Sequence, residues 1–316
     1  MRKVTAFGFL LLYASSVIAS SRPVAKLNLA CDSYYQVLSP NGTQLASRCK
    51  DGSLRVLSVP NGKELLIIPA ARRANSVAYS PDSQWMAVGF HDGTVEVAPS
   101  NGSIPPRRWN ASARRIDTLY FFPDSRMLVV GPADDAGQVW ELAETPKLQA
   151  TVRFEFGGMN ACALSPDGKL LIVAGDDTVL RWYETATWEK TLENRDILLE
   201  TFALAFTPDG KQVLAGGADS RITVLDAATA KSVRQLPPET GSYVVMLDIL
   251  GNKQSAATVY LDNAGEKPPY GLVWDLATGH SVTFKSDSRT TCASVVAGKF
   301  WLCTADGKTL SISEYE

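Results

Sequence analysis

The residues best suited to binding chemistry are two arginine pairs, Arg72-Arg73 and Arg114-Arg115, which recur 42 positions apart. A guanidinium is a planar fork of donors that grips a carboxylate or phosphate through paired hydrogen bonds. Such pairs can anchor an acidic segment of a partner, or they can be solvated and pair with neighbours such as Asp117. Groups for catalysis are scarce. The only histidines, His91 and His280, are too few for the usual His-ligated transition metal. Asp176, Asp177 and Glu200 could hold Ca²⁺ weakly, although turn aspartates and a solvated glutamate account for them more simply. The chain has no Gly-x-Ser-x-Gly elbow, P-loop or His-Glu-x-x-His. No catalytic residue, metal-ligand set or cofactor is therefore expected. A net charge of −2 gives no strong overall field for nucleic acid or a membrane surface, so a charged partner must meet a local patch.

A repeat decides where these groups stand. Ser39-Pro40-Asn41-Gly42, Ser80-Pro81-Asp82-Ser83, Phe122-Pro123-Asp124-Ser125, Ser165-Pro166-Asp167-Gly168 and Thr207-Pro208-Asp209-Gly210 are one turn written five times, with prolines 41, 42, 43 and 42 residues apart. Leu250-Gly251-Asn252 and Val296-Ala297-Gly298 continue the series to seven units. In each unit an apolar stretch, the Pro turn, a second strand, an Asp-Gly type turn and a third strand follow one another. Pro fixes φ at the turn and Gly accepts positive φ. Hairpins at this spacing are an all-β signal, and the period is that of a four-stranded propeller blade.

The third strands carry Gln138-Val139-Trp140, Leu180-Arg181-Trp182 and Leu272-Val273-Trp274. Trp274-Asp275, with Trp140-Glu141, Trp182-Tyr183 and Leu225-Asp226 as degenerate forms, resembles the WD-repeat family. The resemblance covers about Pro23 to Glu316, and it departs from the family in lacking a Gly-His pair before each blade. It implies a seven-bladed β-propeller that works by docking other proteins. The seventh unit stops after its third strand, while residues 24–30 alternate like a strand. The N-terminal strand should therefore complete the last blade and close the ring, leaving no open sheet edge there.

Strands of a blade run alternately up and down. With strands lettered a to d from the axis outward, the d–a and b–c connections share one face and the a–b and c–d connections share the other. His91 falls in a b–c turn and His280 follows a c–d turn, so they lie on opposite faces and form no dyad. Aligned on the turn prolines, the arginine pairs occupy the ninth and eighth positions before Pro81 and Pro123, in d–a connections. The same slots hold Cys31-Asp32, Gly157-Gly158, Leu199-Glu200, Gly241-Ser242 and Ser288-Arg289 in the other units. Lys50 reaches this face from a b–c turn. The b–c connection of the sixth unit is an insertion, residues 262–270, ending in a stiff Pro268-Pro269-Tyr270. Long loops in compact domains are often functional. Arg72, Arg73, Arg114, Arg115, Arg289 and Tyr270 are the partner-binding candidates.

Five cysteines are present. Cys292 and Cys303 stand symmetrically about the Ala297-Gly298 turn and should bridge across a hairpin. Cys31 and Cys49 flank the first turn about two residues out of register and form a second candidate pair. Cys162 has no mate in its blade and reads as a small core hydrophobe. Asn41, Asn101 and Asn110 match the glycosylation acceptor pattern, two of them in sequences that ordinary turns also use.

Arg2 and Lys3 followed by an apolar run over residues 4–14 and Val17-Ile18-Ala19 have the form of a signal peptide cleaved after Ala19. The expected product is one propeller over residues 22–316, periplasmic or extracellular, monomeric, with no membrane span. Its expected role is a non-catalytic scaffold that binds a protein or peptide, possessing an acidic segment, through the d–a/b–c face. The alternative is an enzyme centred on the channel, such as a lactonase, lyase or quinoprotein-like oxidoreductase, which would need ligands or bases converging on the axis.

Overall fold

The computed structural model describes residues 21–133, 135–236, 242–249, 255–262, 270–279, 281–284, 289–296, 299–306 and 308–315. The candidate signal peptide, His280 and the insertion over residues 263–269 lie outside these. The described strands form seven four-stranded antiparallel sheets. The inner strands are Ser33–Leu38, Ala74–Tyr79, Ile116–Phe121, Met159–Leu164, Thr201–Phe206, Ser242–Ile249 and Arg289–Val296. Each packs beside the inner strand of the next blade, and the seventh meets the first. The last blade is built from Arg289–Val296, Lys299–Asp306 and Thr309–Tyr315, with Ser21–Asn28 as its outer strand. Leu27 of that N-terminal strand is buried against Leu310 and Ile312 of the C-terminal one and against Leu38, Leu45 and Leu57 of blade one. The chain ends are thus joined by a shared hydrophobic cluster as well as by a ladder. Among the described residues no helix is long and apolar enough to cross a membrane.

The Pro turns owe their shape to hydroxyl chemistry. Ser165 Oγ donates to Asp167 Oδ1 at 2.7 Å and accepts from Leu170 N at 2.9 Å, while Asp167 Oδ1 accepts from Lys169 N at 3.1 Å. Ser39, Ser80 and Thr207 repeat this arrangement. The side chains thus take up N–H groups that the tight turn would leave open, as in an Asx-type turn. Blades interlock where small residues let inner strands approach. A Cβ on Gly89, in strand b of blade two, would lie 2.4 Å from Ser76 Oγ and 2.6 Å from Ile116 of blade three. Trp182 and Trp274, from third strands, are fully buried between blades. Trp140 instead stays partly exposed beside Trp109, ring centroids 5.5 Å apart.

Candidate protein-interaction face

The slot alignment has a backbone counterpart. The residue after strand b donates its N–H to the carbonyl eight residues before the turn proline: Lys50 to Asp32 at 2.8 Å, His91 to Arg73 at 3.1 Å, Ala133 to Arg115 at 2.8 Å, Asp176 to Gly158 at 3.2 Å and Ala218 to Glu200 at 2.9 Å. Each b–c turn of the first five blades is thereby tied to the d–a connection on the same face. Arg73 and Arg115 occupy equivalent, exposed places in this frame, and Arg114 is exposed beside Arg115.

The side chains of the candidate residues take separate routes. Arg72 turns between blades, giving Nη1 to Glu96 Oε2 at 3.0 Å and Nη2 to Glu96 Oε1 at 2.8 Å, with its guanidinium 4.2 Å from the Phe90 ring centre. Arg115 clasps Asp117, two residues on in the strand that follows it, at 2.7 and 3.1 Å. Arg73 takes the left-handed backbone conformation, φ 49°. Arg289 opens the inner strand of blade seven, and Tyr270 opens the third strand of blade six opposite Tyr260. Asp177 faces inward, bound to buried Arg181 and accepting the Glu155 N–H at 2.7 Å. Asp176 caps Gly158 N at 2.8 Å.

Every inner strand also bulges near its start, at the second residue in blades one to five, the fourth in blade six and the third in blade seven. The register skips residues 34, 75, 117, 160, 202, 245 and 291. A bulge re-aims the extra residue out of the ladder. In blades two and three the bulge residues are Asn75 and Asp117, and Asn75 Nδ2 donates to Ile116 O at 2.9 Å and to Asp117 Oδ1 at 2.8 Å. Arg48, from strand b of blade one, donates to Asn75 O and, at 3.0 Å, to Asn75 Oδ1. A line of polar groups, Arg48–Asn75–Asp117–Arg115, therefore crosses three blades.

The WD domain, G-beta repeat family matches residues 62–97 and 147–184, each span running from the outer strand of one blade to the third strand of the next. The chain is a WD-repeat-like β-propeller. It is similar to telomerase protein component 1 of Mus musculus, 24% identical over 140 residues, or 44% of this chain and 5% of that protein. It is also similar to WD repeat-containing protein 70 of Xenopus tropicalis, 25% identical over 162 residues, or 45% of this chain and 26% of that one. The match thus spans a small part of either relative's length.

Two features of this propeller escaped the sequence reading. The bulge residues share a position but no residue type, so composition carries no trace of them. Arg48 did leave a signal. Its register equivalents beside the inner strands of blades two to five are Gly89, Gly131, Ala174 and Gly216, so an arginine stands where its neighbours need almost no side chain. Among the cysteines, Cys31 and Cys49 are joined, Cα atoms 5.8 Å apart. Cys303 is also disulfide-bonded, and the register sets it opposite Cys292. Cys162 is free and buried, and burial pushes its thiol well above the ordinary value.

Proposed function

We propose that this propeller is an exported, non-catalytic scaffold that docks a protein or peptide on the face formed by the d–a and b–c connections. WD-repeat proteins support a protein-interaction role, and fold alone would not choose the face. The observation that carries the choice is the backbone frame just described, which holds the exposed Arg73, Arg114 and Arg115 of adjacent blades on one rigid surface. Loops fixed on a rigid scaffold are the usual place for binding residues. An acidic partner segment suits this surface, with Arg289 and Tyr270 extending the contact around the ring. Export is supported by the form of the first nineteen residues and by the Cys31–Cys49 disulfide, since disulfides persist in oxidising compartments. The test is capture from the exported fraction of the host with the wild-type chain and with Arg73→Ala/Arg114→Ala. The double variant should lose the captured protein and flatten the salt dependence of binding at an unchanged Tm. Undiminished capture by the variant, with loss on substituting Arg126 and Lys169 in the Pro turns, would assign the opposite face.

A further inference from the structure

We propose that the pocket where blades one, two and three meet near the axis binds a carboxylate of an acidic peptide, held by Arg48, His91 and Arg115. This inference rests on the d–a/b–c face being the docking face and names what one part of it grips. The pocket has a volume of about 560 Å³ and is lined by Tyr35, Arg48, Asn75, Ser76, His91, Arg115 and Asp117.

Three observations carry the assignment. The first is Arg48 itself. In the next four blades its place is held by glycine or alanine, and at Gly89 any side chain would strike the neighbouring inner strand. Blade one alone of these carries a cation there, and its guanidinium runs over Asn75 of the next blade. The second is the fixed geometry. Asn75 is held by Ile116 O and Asp117, and Asp117 holds Arg115, so the donors at the pocket are oriented before a ligand arrives. Pre-organised donors lose little freedom on binding. The third is charge. Arg48, Arg73 and Arg115 bear on His91, against the single carboxylate of Asp117. The local excess is positive in a molecule whose net charge is −2, and a concave positive site concentrates anions.

His91 makes the grip depend on pH. Burial, followed by the guanidinium groups of Arg73, Arg115 and Arg48, holds its imidazole below the ordinary value, with Asp117 opposing them. An incoming carboxylate counters the guanidinium field and favours the imidazolium. Binding therefore takes up a proton, and affinity rises as pH falls through the window between the free and bound values of His91.

The test uses the purified full chain and fluorescein-labelled hexaglutamate with an amidated C-terminus, followed by anisotropy at low salt. A labelled glycine peptide with a free C-terminus forms the second arm, so that side-chain and chain-end carboxylates are told apart; binding of either supports the pocket. Affinity should increase as pH falls from about 7 toward 5, the lower part of the histidine range, because the free imidazole is held below its ordinary value. His91→Gln should remove that increase. Arg115→Ala should weaken binding about tenfold, the loss of one charge-assisted contact, and Arg126→Ala on the opposite face should leave it unchanged. Equal binding by wild type, His91→Gln and Arg115→Ala, or no binding of either peptide, overturns the proposal. If partner capture still falls with Arg73→Ala/Arg114→Ala in that case, the face stands and the pocket does not.

Discussion

Asp177 and Arg181 form a buried ion pair in blade four, their side chains 0% and 5% exposed. Burial alone would raise the Asp177 carboxyl. Hydrogen bonds from Arg181 and from the Glu155 and Val179 N–H groups outweigh it and hold the group below its usual value. A carboxylate depressed in the folded state contributes stability that is present above its unfolded pKa and is lost as pH falls through the lower folded value. Asp177→Asn should therefore cost about 3–5 kcal/mol near neutral pH, because it strands a buried guanidinium. Replacing both residues by apolar ones should restore much of that loss. Urea unfolding near neutral pH reads both effects, and a loss below about 1 kcal/mol would mean that the pair is no more than an ordinary surface bridge. A smaller effect is expected at the turns. Ser165→Ala removes the hydroxyl that both accepts from Leu170 and donates to Asp167, and should cost about 0.5–1.5 kcal/mol. Asp167, lowered chiefly by that same hydroxyl and then by the Lys169 N–H, should titrate closer to its ordinary value in the variant. Carboxyl chemical shifts through an acid titration would show it.

At the scale of the element, strands and turns were legible because their signals are local. Pro40 to Pro208 marked the a–b turns, and Asp92-Gly93 marked a b–c turn whose glycine takes φ 80°. The symmetric placement of Cys292 and Cys303 foretold a hairpin whose register pairs them. Cys31–Cys49 closes although Cys49 pairs in register with Ser33, since the chain before that strand curves back toward it. What the sequence did not disclose depends on register between distant segments. Glu96 captures Arg72 across 24 residues, so two adjacent arginines that read as equivalent diverge. The bulges that bring Asn75 toward Asp117 are backbone features with no residue preference. Gly89 marks the same limit from the other side, a glycine demanded by the next blade's Ile116 and by Ser76 rather than by its own turn. Gly89→Ala should destabilise the propeller by about 1–3 kcal/mol through overpacking, seen as a lower Tm. An unchanged Tm would show that the two blades yield at no cost.

For the whole molecule, the ring depends on a strand contributed by the opposite end of the chain. The strand Ser21–Asn28 pairs with Thr309–Tyr315 and buries Leu27, while Leu29 follows it into the core. Removing residues 20–30 exposes the edge of the last blade and returns those two leucines to water, each worth about 1.5–3 kcal/mol. Exposed edges pair with other edges, so the shortened chain should aggregate or unfold at markedly lower temperature. A monomer with the parent Tm would refute the shared blade. Closure matters for function because it fixes which loops share a face. The most direct measurement of the docking face is therefore site-specific photo-cross-linking in the host, with a photoreactive residue placed either at Arg114 on the d–a/b–c face or at Lys169 on the Pro-turn face. Both residues are exposed, so either position reports its own surroundings. A discrete protein adduct from position 114 and none from position 169 is the expected result, and an adduct from position 169 alone would contradict it.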